Sequence, residues 1–144
     1  MAPIWITPIS VEEINKRARS TLSEHLGIEF TEVGDDHLTA TMPVDSRTCQ
    51  PMGILHGGAS CALAETVGSA AANYCIDAKE KVCVGLDINA NHLRPVRVGS
   101  KIVGVAKPLH LGKTTQVWEI KIYNESKQLV SVSRLTMAVL NRTV

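Results

Sequence analysis

Aromatic side chains are scarce in this chain of 144 residues: Trp5, Phe30, Tyr74, Trp118 and Tyr123. They are scattered, whereas a single-strand nucleic-acid binder needs several clustered in a basic groove. An excess of one charge is also missing. Fifteen Lys and Arg against fourteen Asp and Glu leave a formal charge of +1, without the dense positive field that binding a phosphate backbone requires. Nucleic acid is therefore disfavoured as a partner. The four cysteines, at positions 49, 61, 75 and 83, contain no C-x-x-C pair, and Met1 to Ser10 lacks the charged and apolar regions of a secretory signal. A reducing, cytoplasmic compartment fits best. No repeat, linker or low-complexity tract interrupts the chain, so residues 1–144 are expected to form one domain that buries roughly two thirds of its unfolded surface.

Met52 to Ile76 is long enough to span a bilayer, but it carries Glu65 near its middle together with Ser, Thr, Asn and several Gly. It reads as a buried helix of a soluble protein, not a membrane span. Around it the chain alternates between two periodicities. Ser10 with Glu13 has the form of a capping box and Gly27 is a natural stop, which predicts a surface helix over roughly 10–26. Two β-rich runs, 28–33 and 37–43, flank Gly34-Asp35-Asp36, a sequence suited to a hairpin turn. Residues 44–55 read as a loop. The Ala-rich segment 57–76 follows Gly57-Gly58 and is nearly apolar all round, so it predicts a helix covered on most sides. Strand candidates then fall at 82–92, 101–109, 114–123 and 128–140. In the third, Trp118, Ile120 and Ile122 alternate with Glu119 and Lys121, the period of a sheet with one buried face. Helix, two strands, buried helix, four strands define an α+β fold with an antiparallel sheet curled around a central helix.

The chemistry concentrates on that helix. Glu65 is the only formally charged residue between Met52 and Ile76. An apolar setting disfavours an ionised carboxylate and moves it towards the range useful for base catalysis; the alternative is a structural glutamate held by a loop's amides. The helix is preceded by Gln50-Pro51-Met52-Gly53-Ile54-Leu55-His56-Gly57-Gly58. Unpaired N–H groups at a helix start, beside glycines that let a ligand approach the backbone, form an oxyanion site. Gln50 and His56 would add side-chain donors, unless His56 merely caps the helix. Gly57 and Glu65 stand about 12 Å apart along one axis, at roughly 1.5 Å per residue. That is too far to serve one carbonyl. A shared substrate would need the donors from one subunit and the carboxylate from another, which predicts a dimer with its active sites in the interface.

Other patterns carry less. Gly58-Ala59-Ser60-Cys61-Ala62 falls short of a nucleophile elbow and lies inside the helix. Gly112-Lys113-Thr114 copies the end of a P-loop, but Lys107 occupies the position of its first glycine. The histidines and cysteines lack metal-ligand spacing, so neither a metal nor another cofactor is called for. Arg94, Arg97, Lys101, Lys107, His110 and Lys113 bring basic character into a short stretch, enough to hold the phosphates of a carrier such as coenzyme A, though each alone also suits a solvated sheet rim. His92, near a strand end, faces either the site or a polar neighbour.

Ala40 to Thr48, Gln50 to Gly58, Leu63-Ala64-Glu65, Asn89 to Pro95 and Pro108 to Gly112 together resemble the hotdog-fold acyl-CoA thioesterases, in the branch of the 1,4-dihydroxy-2-naphthoyl-CoA and enterobactin-proofreading thioesterases. The likeness runs from about Ile14 to Leu140. It implies a long helix wrapped by the sheet, with Glu65 as nucleophile or general base and the Gly57 N–H on the thioester carbonyl. It also implies that Gln50 and His56 polarise the acyl group and that Ser69 assists the carboxylate or its water. His92 matches a substrate-pocket histidine, and Met52, Arg94, His110, Gly112 and Lys113 complete the expected substrate-binding set. The implied partners are an acyl-CoA, or an acyl group on a carrier protein, and further copies of the chain, in dimers that pair into tetramers. Met52 stands where relatives often have Phe, and Leu93 replaces a second histidine typical of the proofreading branch. A hotdog hydratase and a non-catalytic thioester-binding module are the rival readings.

Overall fold

The computed structural model describes residues 1–143. Ser10 caps the first helix as expected, its Oγ accepting the Glu13 N–H at 3.2 Å. The helix expected over 10–26 is nevertheless broken in two: α1 spans Val11–Arg17 and α2 Leu22–His25. Local hydroxyl chemistry breaks it. The Thr21 hydroxyl donates to the Ala18 carbonyl, the Ser20 N–H goes to the Glu24 carboxylate, and Ser20 takes a left-handed φ of 61°. Polar side chains here compete with the helical ladder and win. Gly27, at φ +73°, closes the segment.

Strands β1 (Glu29–Val33) and β2 (Leu38–Pro43) form the expected hairpin, closed by the Gly34 N–H donating to the His37 carbonyl. The long helix α3 covers Gly57–Tyr74 and is followed by β3 (Lys81–His92), β4 (Lys101–Leu111), β5 (Thr115–Tyr123) and β6 (Leu129–Asn141). The six strands form one sheet in the order β1-β2-β4-β5-β6-β3, antiparallel throughout. This is the α+β arrangement expected, and α3 lies across the sheet. No helix among the described residues is long and apolar enough to cross a membrane.

Small residues let α3 approach closely. A Cβ on Gly68 would stand 2.7 Å from Leu135 Cδ2 and 3.1 Å from Ile120 Cδ1, and one on Gly104 would stand 3.3 Å from Leu63. The period of two in β5 delivers Gln116, Trp118, Ile120 and Ile122 to the buried face. Gln116 and Trp118 share one solution to their polarity. The Trp118 indole N–H donates to Gln116 Oε1 at 2.8 Å, and Gln116 Nε2 donates to the Ala72 carbonyl at 3.4 Å, near the end of α3. The end of α3 is also tied to β3, because the Asn73 amide exchanges two hydrogen bonds with the backbone of Cys83. It does there what a neighbouring strand would do.

Gln116→Leu leaves the buried indole N–H of Trp118 without an acceptor, which costs about 2 kcal/mol. Adding Trp118→Phe removes the orphaned donor, so the double variant should lose less than the sum of the single losses. Urea unfolding of the four proteins measures the coupling.

Candidate active site

Helix α3 begins where the chain leaves a tight turn. The Gln50 carbonyl accepts the Gly53 N–H, the Ile54 carbonyl accepts the Gln50 N–H, and Gly53 takes φ +75°, which glycine tolerates. In the preceding loop, Arg47 pairs with Asp45 and its hydrogen bond holds that carboxyl below the usual range. Gln50 Oε1 accepts the Met52 N–H, and His56 Nδ1 accepts the Gly58 N–H at 2.8 Å. Both side chains expected as donors therefore spend an acceptor on the local backbone. His56 is the cap of α3, and the Gln50 amide nitrogen and His56 Nε2 remain as their donors. Among the described residues none accepts the Gly57 N–H.

His92 comes to the same place from the sheet. Its Nε2 lies 3.0 Å from where a Cβ on Gly57 would be, so the missing side chain makes room for the imidazole at the helix start. Gly57, Ser60, His92, Leu93, Arg94 and Leu55 are among the residues that line a cleft of about 330 Å³ here. Arg94 is partly committed, its Nη1 donating to the Leu129 carbonyl at 2.9 Å. Met52 projects from the turn, 78% exposed.

Glu65 sits elsewhere on the same helix. Two corrections to the sequence reading follow. First, Glu65 is not buried: the rest of α3 is covered on most sides, and of its residues only Gly58 and Glu65 are exposed within one chain. Small apolar neighbours along a helix do not bury a residue that projects at the open edge of the sheet. Its carboxylate lies against β3, where a Cβ on Gly85 would be 2.6 Å from Glu65 Oε1. Cys61, one turn earlier, has its thiol pushed up by burial and by the charge of Glu65. Second, the basic residues do not form one patch. Lys101 and Leu111 end the same extended strand, about 33 Å apart at roughly 3.3 Å per residue. Arg94 and Arg97 therefore lie at one end of the sheet, and His110, Gly112 and Lys113 at the other. Lys107 is taken up by Asp36 at 3.5 Å. Gly112 is required where it stands, since a Cβ would meet His110 Nε2 at 2.5 Å and the Thr115 carbonyl at 2.8 Å.

Ser69 lines a second cleft, of about 310 Å³, between α1 and α3, with Thr66, Ala70, Arg17 and Phe30 among its walls. The structure thus brings Gly57, His56 and His92 together, with Gln50 in the turn before them, and holds Glu65 and Ser69 further along α3. Sequence reasoning missed Gly85, although a glycine inside a strand pattern is itself a signal of close approach. It also missed the buried Ser60.

A family model described as the thioesterase superfamily matches residues 52–131, and the chain belongs to that superfamily, with the hotdog fold. It is a thioester hydrolase of the branch that the motifs resembled. The chain is 52% identical to the 1,4-dihydroxy-2-naphthoyl-CoA hydrolase of Escherichia coli, over 95% of this chain and 99% of that one. It is 51% identical to the proofreading thioesterase EntH of Cronobacter turicensis, over 95% and 98%. The crystal structure of thioesterase HI1161 from Haemophilus influenzae superposes with a TM-score of 0.92 at 51% identity, covering 96% of this chain and 95% of that one.

Gly85→Ala should push the Glu65 carboxylate off β3. The atom it meets is the end of a flexible, exposed side chain, so stability should change by only about 0.5 kcal/mol. On the expectation that Glu65 acts on the thioester, turnover should fall by about 10²-fold, the scale for a misplaced group. Thermal melting beside free-thiol release reads both.

Proposed function

We propose that this chain hydrolyses aromatic acyl-CoA thioesters to the free acid and CoA, with 1,4-dihydroxy-2-naphthoyl-CoA as its substrate, in active sites shared between two copies. One observation carries the reading: an unpaired Gly57 N–H and the His92 ring meet at the start of α3, while Glu65 stands exposed on the same helix, about 12 Å away along the axis. Neither half is a site alone. β3 supplies the surface for the second copy. It is a twelve-residue strand at the edge of the sheet, with Leu86 62% and Val84 42% exposed. A long apolar edge of this kind pairs readily with another chain, and Glu65 lies on that strand at Gly85.

In the shared site the Gly57 N–H and the positive end of α3 stabilise the oxyanion that forms when the thioester carbonyl is attacked. Gln50 and His56 orient the acyl group with their remaining donors. Glu65 of the other copy supplies the attacking electron pair, or activates the water that attacks, with Ser69 beside it on the helix. CoA leaves as the thiol. Arg94 at the cleft, Met52 on the turn before α3, and His110, Gly112 and Lys113 at the far hairpin meet different parts of the long substrate. The naphthoyl preference is supported by the 52% identical hydrolase and by Leu93 in place of a second histidine. The 51% identical proofreading enzyme supports a second reading, in which the acyl group is carried on a protein. Both donors present the same pantetheine arm.

A panel of benzoyl, hydroxynaphthoyl and aliphatic CoA esters, with one carrier-bound aryl thioester, separates these. Hydroxynaphthoyl-CoA should turn over fastest, and Glu65→Gln should lower kcat by about 10²–10⁴-fold with the protein still folded. Preference for the carrier-bound ester would move the assignment to proofreading, and an inert panel would overturn it. Leu86→Lys should yield monomers by sedimentation and lose turnover together with assembly; active monomers would exclude a shared site.

A further inference from the structure

Three buried hydroxyls have no hydrogen-bond partner among the described residues, Tyr74 Oη, Ser131 Oγ and Ser133 Oγ, and the two serines, 0% and 2% exposed, share one strand. Alternate residues of a strand share a face. Ser131 and Ser133 are thus on the face of β6 that carries Leu135, against which Gly68 of α3 packs. Register gives the two serines different neighbours. Ser131 is directly opposite His92 on β3 and Ile122 on β5, whereas Ser133 is opposite Ala90 and Ile120. Directly opposed residues have Cβ atoms roughly 4.5–5.5 Å apart and diagonal ones about 7–8 Å, which makes Ser131, directly across from His92, the nearer of the two to the imidazole. Burial without a partner costs a hydroxyl its full desolvation. A ring nitrogen is the polar group that the neighbouring strand offers Ser131.

We propose that Ser131 is a positioning residue for His92. Its O–H, unpartnered as placed, reaches Nδ1 by a turn about the serine Cα–Cβ bond, and so holds the ring in the Nε2–H tautomer. Nε2 is the nitrogen at the start of α3, beside Gly57. An N–H fixed there is a second preorganised donor for the oxyanion, next to the Gly57 N–H. Few other neighbours of the ring could give Nδ1 a proton. Gly57 has no side chain, Arg94 follows the ring with one Nη donated to Leu129, and His56 is occupied as the helix cap; Ser60 of α3 is the one other hydroxyl that lines the cleft. The catalytic consequence rests on the thioesterase site proposed above; the tautomer does not.

Long-range ¹H–¹⁵N NMR of the substrate-free full chain, with the His92 ring assigned by His92→Gln, tests the tautomer without any substrate. The wild type should show one Nε2–H tautomer. Ser131→Ala should average the two nitrogen shifts and lower kcat about tenfold at nearly constant KM, a part of the 10²–10³-fold that outright loss of an oxyanion donor costs. Ser131→Thr, which keeps the hydroxyl, should retain the tautomer, and Ser133→Ala should leave the ring unchanged. A tautomeric mixture in the wild type overturns the proposal even if the alanine variant does not fold. So does an unchanged ring in folded Ser131→Ala, or an equal response to Ser133→Ala. If the ring responds as expected in a protein that hydrolyses no thioester, the positioning holds and the substrate reading fails.

Discussion

The distance between α3 and the sheet is the constraint from which the rest of this molecule follows. Where they meet, a glycine on one surface takes a large side chain of the other: Gly68 of the helix receives Leu135 and Ile120, Gly104 of the sheet receives Leu63, and Ala64, Ala71 and Ala72 are fully buried along the helix. Close-packed interiors transmit such distances, because a side chain that does not fit moves its neighbours. At the start of α3 the same closeness becomes chemistry. Gly57 and His92 occupy one volume that a single added methyl would contest, and a helix standing further from the sheet would separate the backbone donor from the ring. At Glu65 the closeness is repeated on the edge strand, where the bare backbone of Gly85 receives the carboxylate.

The polar groups of the core secure that distance. Trp118, Gln116 and the Ala72 carbonyl form one chain of hydrogen bonds from the middle of the sheet to the end of the helix, and Asn73 binds the same end to Cys83. Burial pushes the Cys75 and Cys83 thiols nearby up to about 12 and about 11. That keeps them protonated and makes them fillers of space, not reagents. The C-terminal end of α3 is therefore pinned, while its N-terminal end is held by the His56 cap and the turn of Gln50 to Gly53. A rigid rod fixed at both ends gives its first N–H group a defined direction.

Much of this was legible in the order of residues, and the failures have specific causes. The alternation of Trp118, Ile120 and Ile122, the Ala-rich run after Gly57-Gly58 and the Gly34 turn each report a local geometry that the fold only had to accept. The break at Ser20 was not legible, because it turns on the hydroxyl of Thr21 reaching Ala18 and the carboxylate of Glu24 reaching Ser20, against a sequence whose capping signals favour one helix. Glu65 misled for another reason. Neighbours in sequence describe a helix as a line, whereas burial depends on which side of it meets the sheet. The basic residues from Arg94 to Lys113 misled by the opposite route, since twenty residues that look like a cluster become the two ends of a strand. Ser131 needed the register of β6 against β3, which no pattern within either strand contains.

The exposure of Glu65 and the openness of β3 are one structural fact. Asn73 satisfies the edge of β3 only at Cys83, and Val84 and Leu86 beyond it are left to solvent, beside the glycine on which the carboxylate lies. Covering that edge with another helix or strand of the same chain would have buried Glu65 away from any oxyanion site, because among the described residues the only helix start with an unpaired glycine N–H beside a histidine is the one to which Glu65 itself belongs. On the proposed pairing, a second copy solves both problems with one surface. It completes the hydrogen bonds of the edge, removes the apolar side chains from water, and brings a foreign helix start to the carboxylate while excluding solvent from the reacting centre. Assembly and catalysis would then depend on the same strand, so a defect in assembly cannot leave catalysis intact.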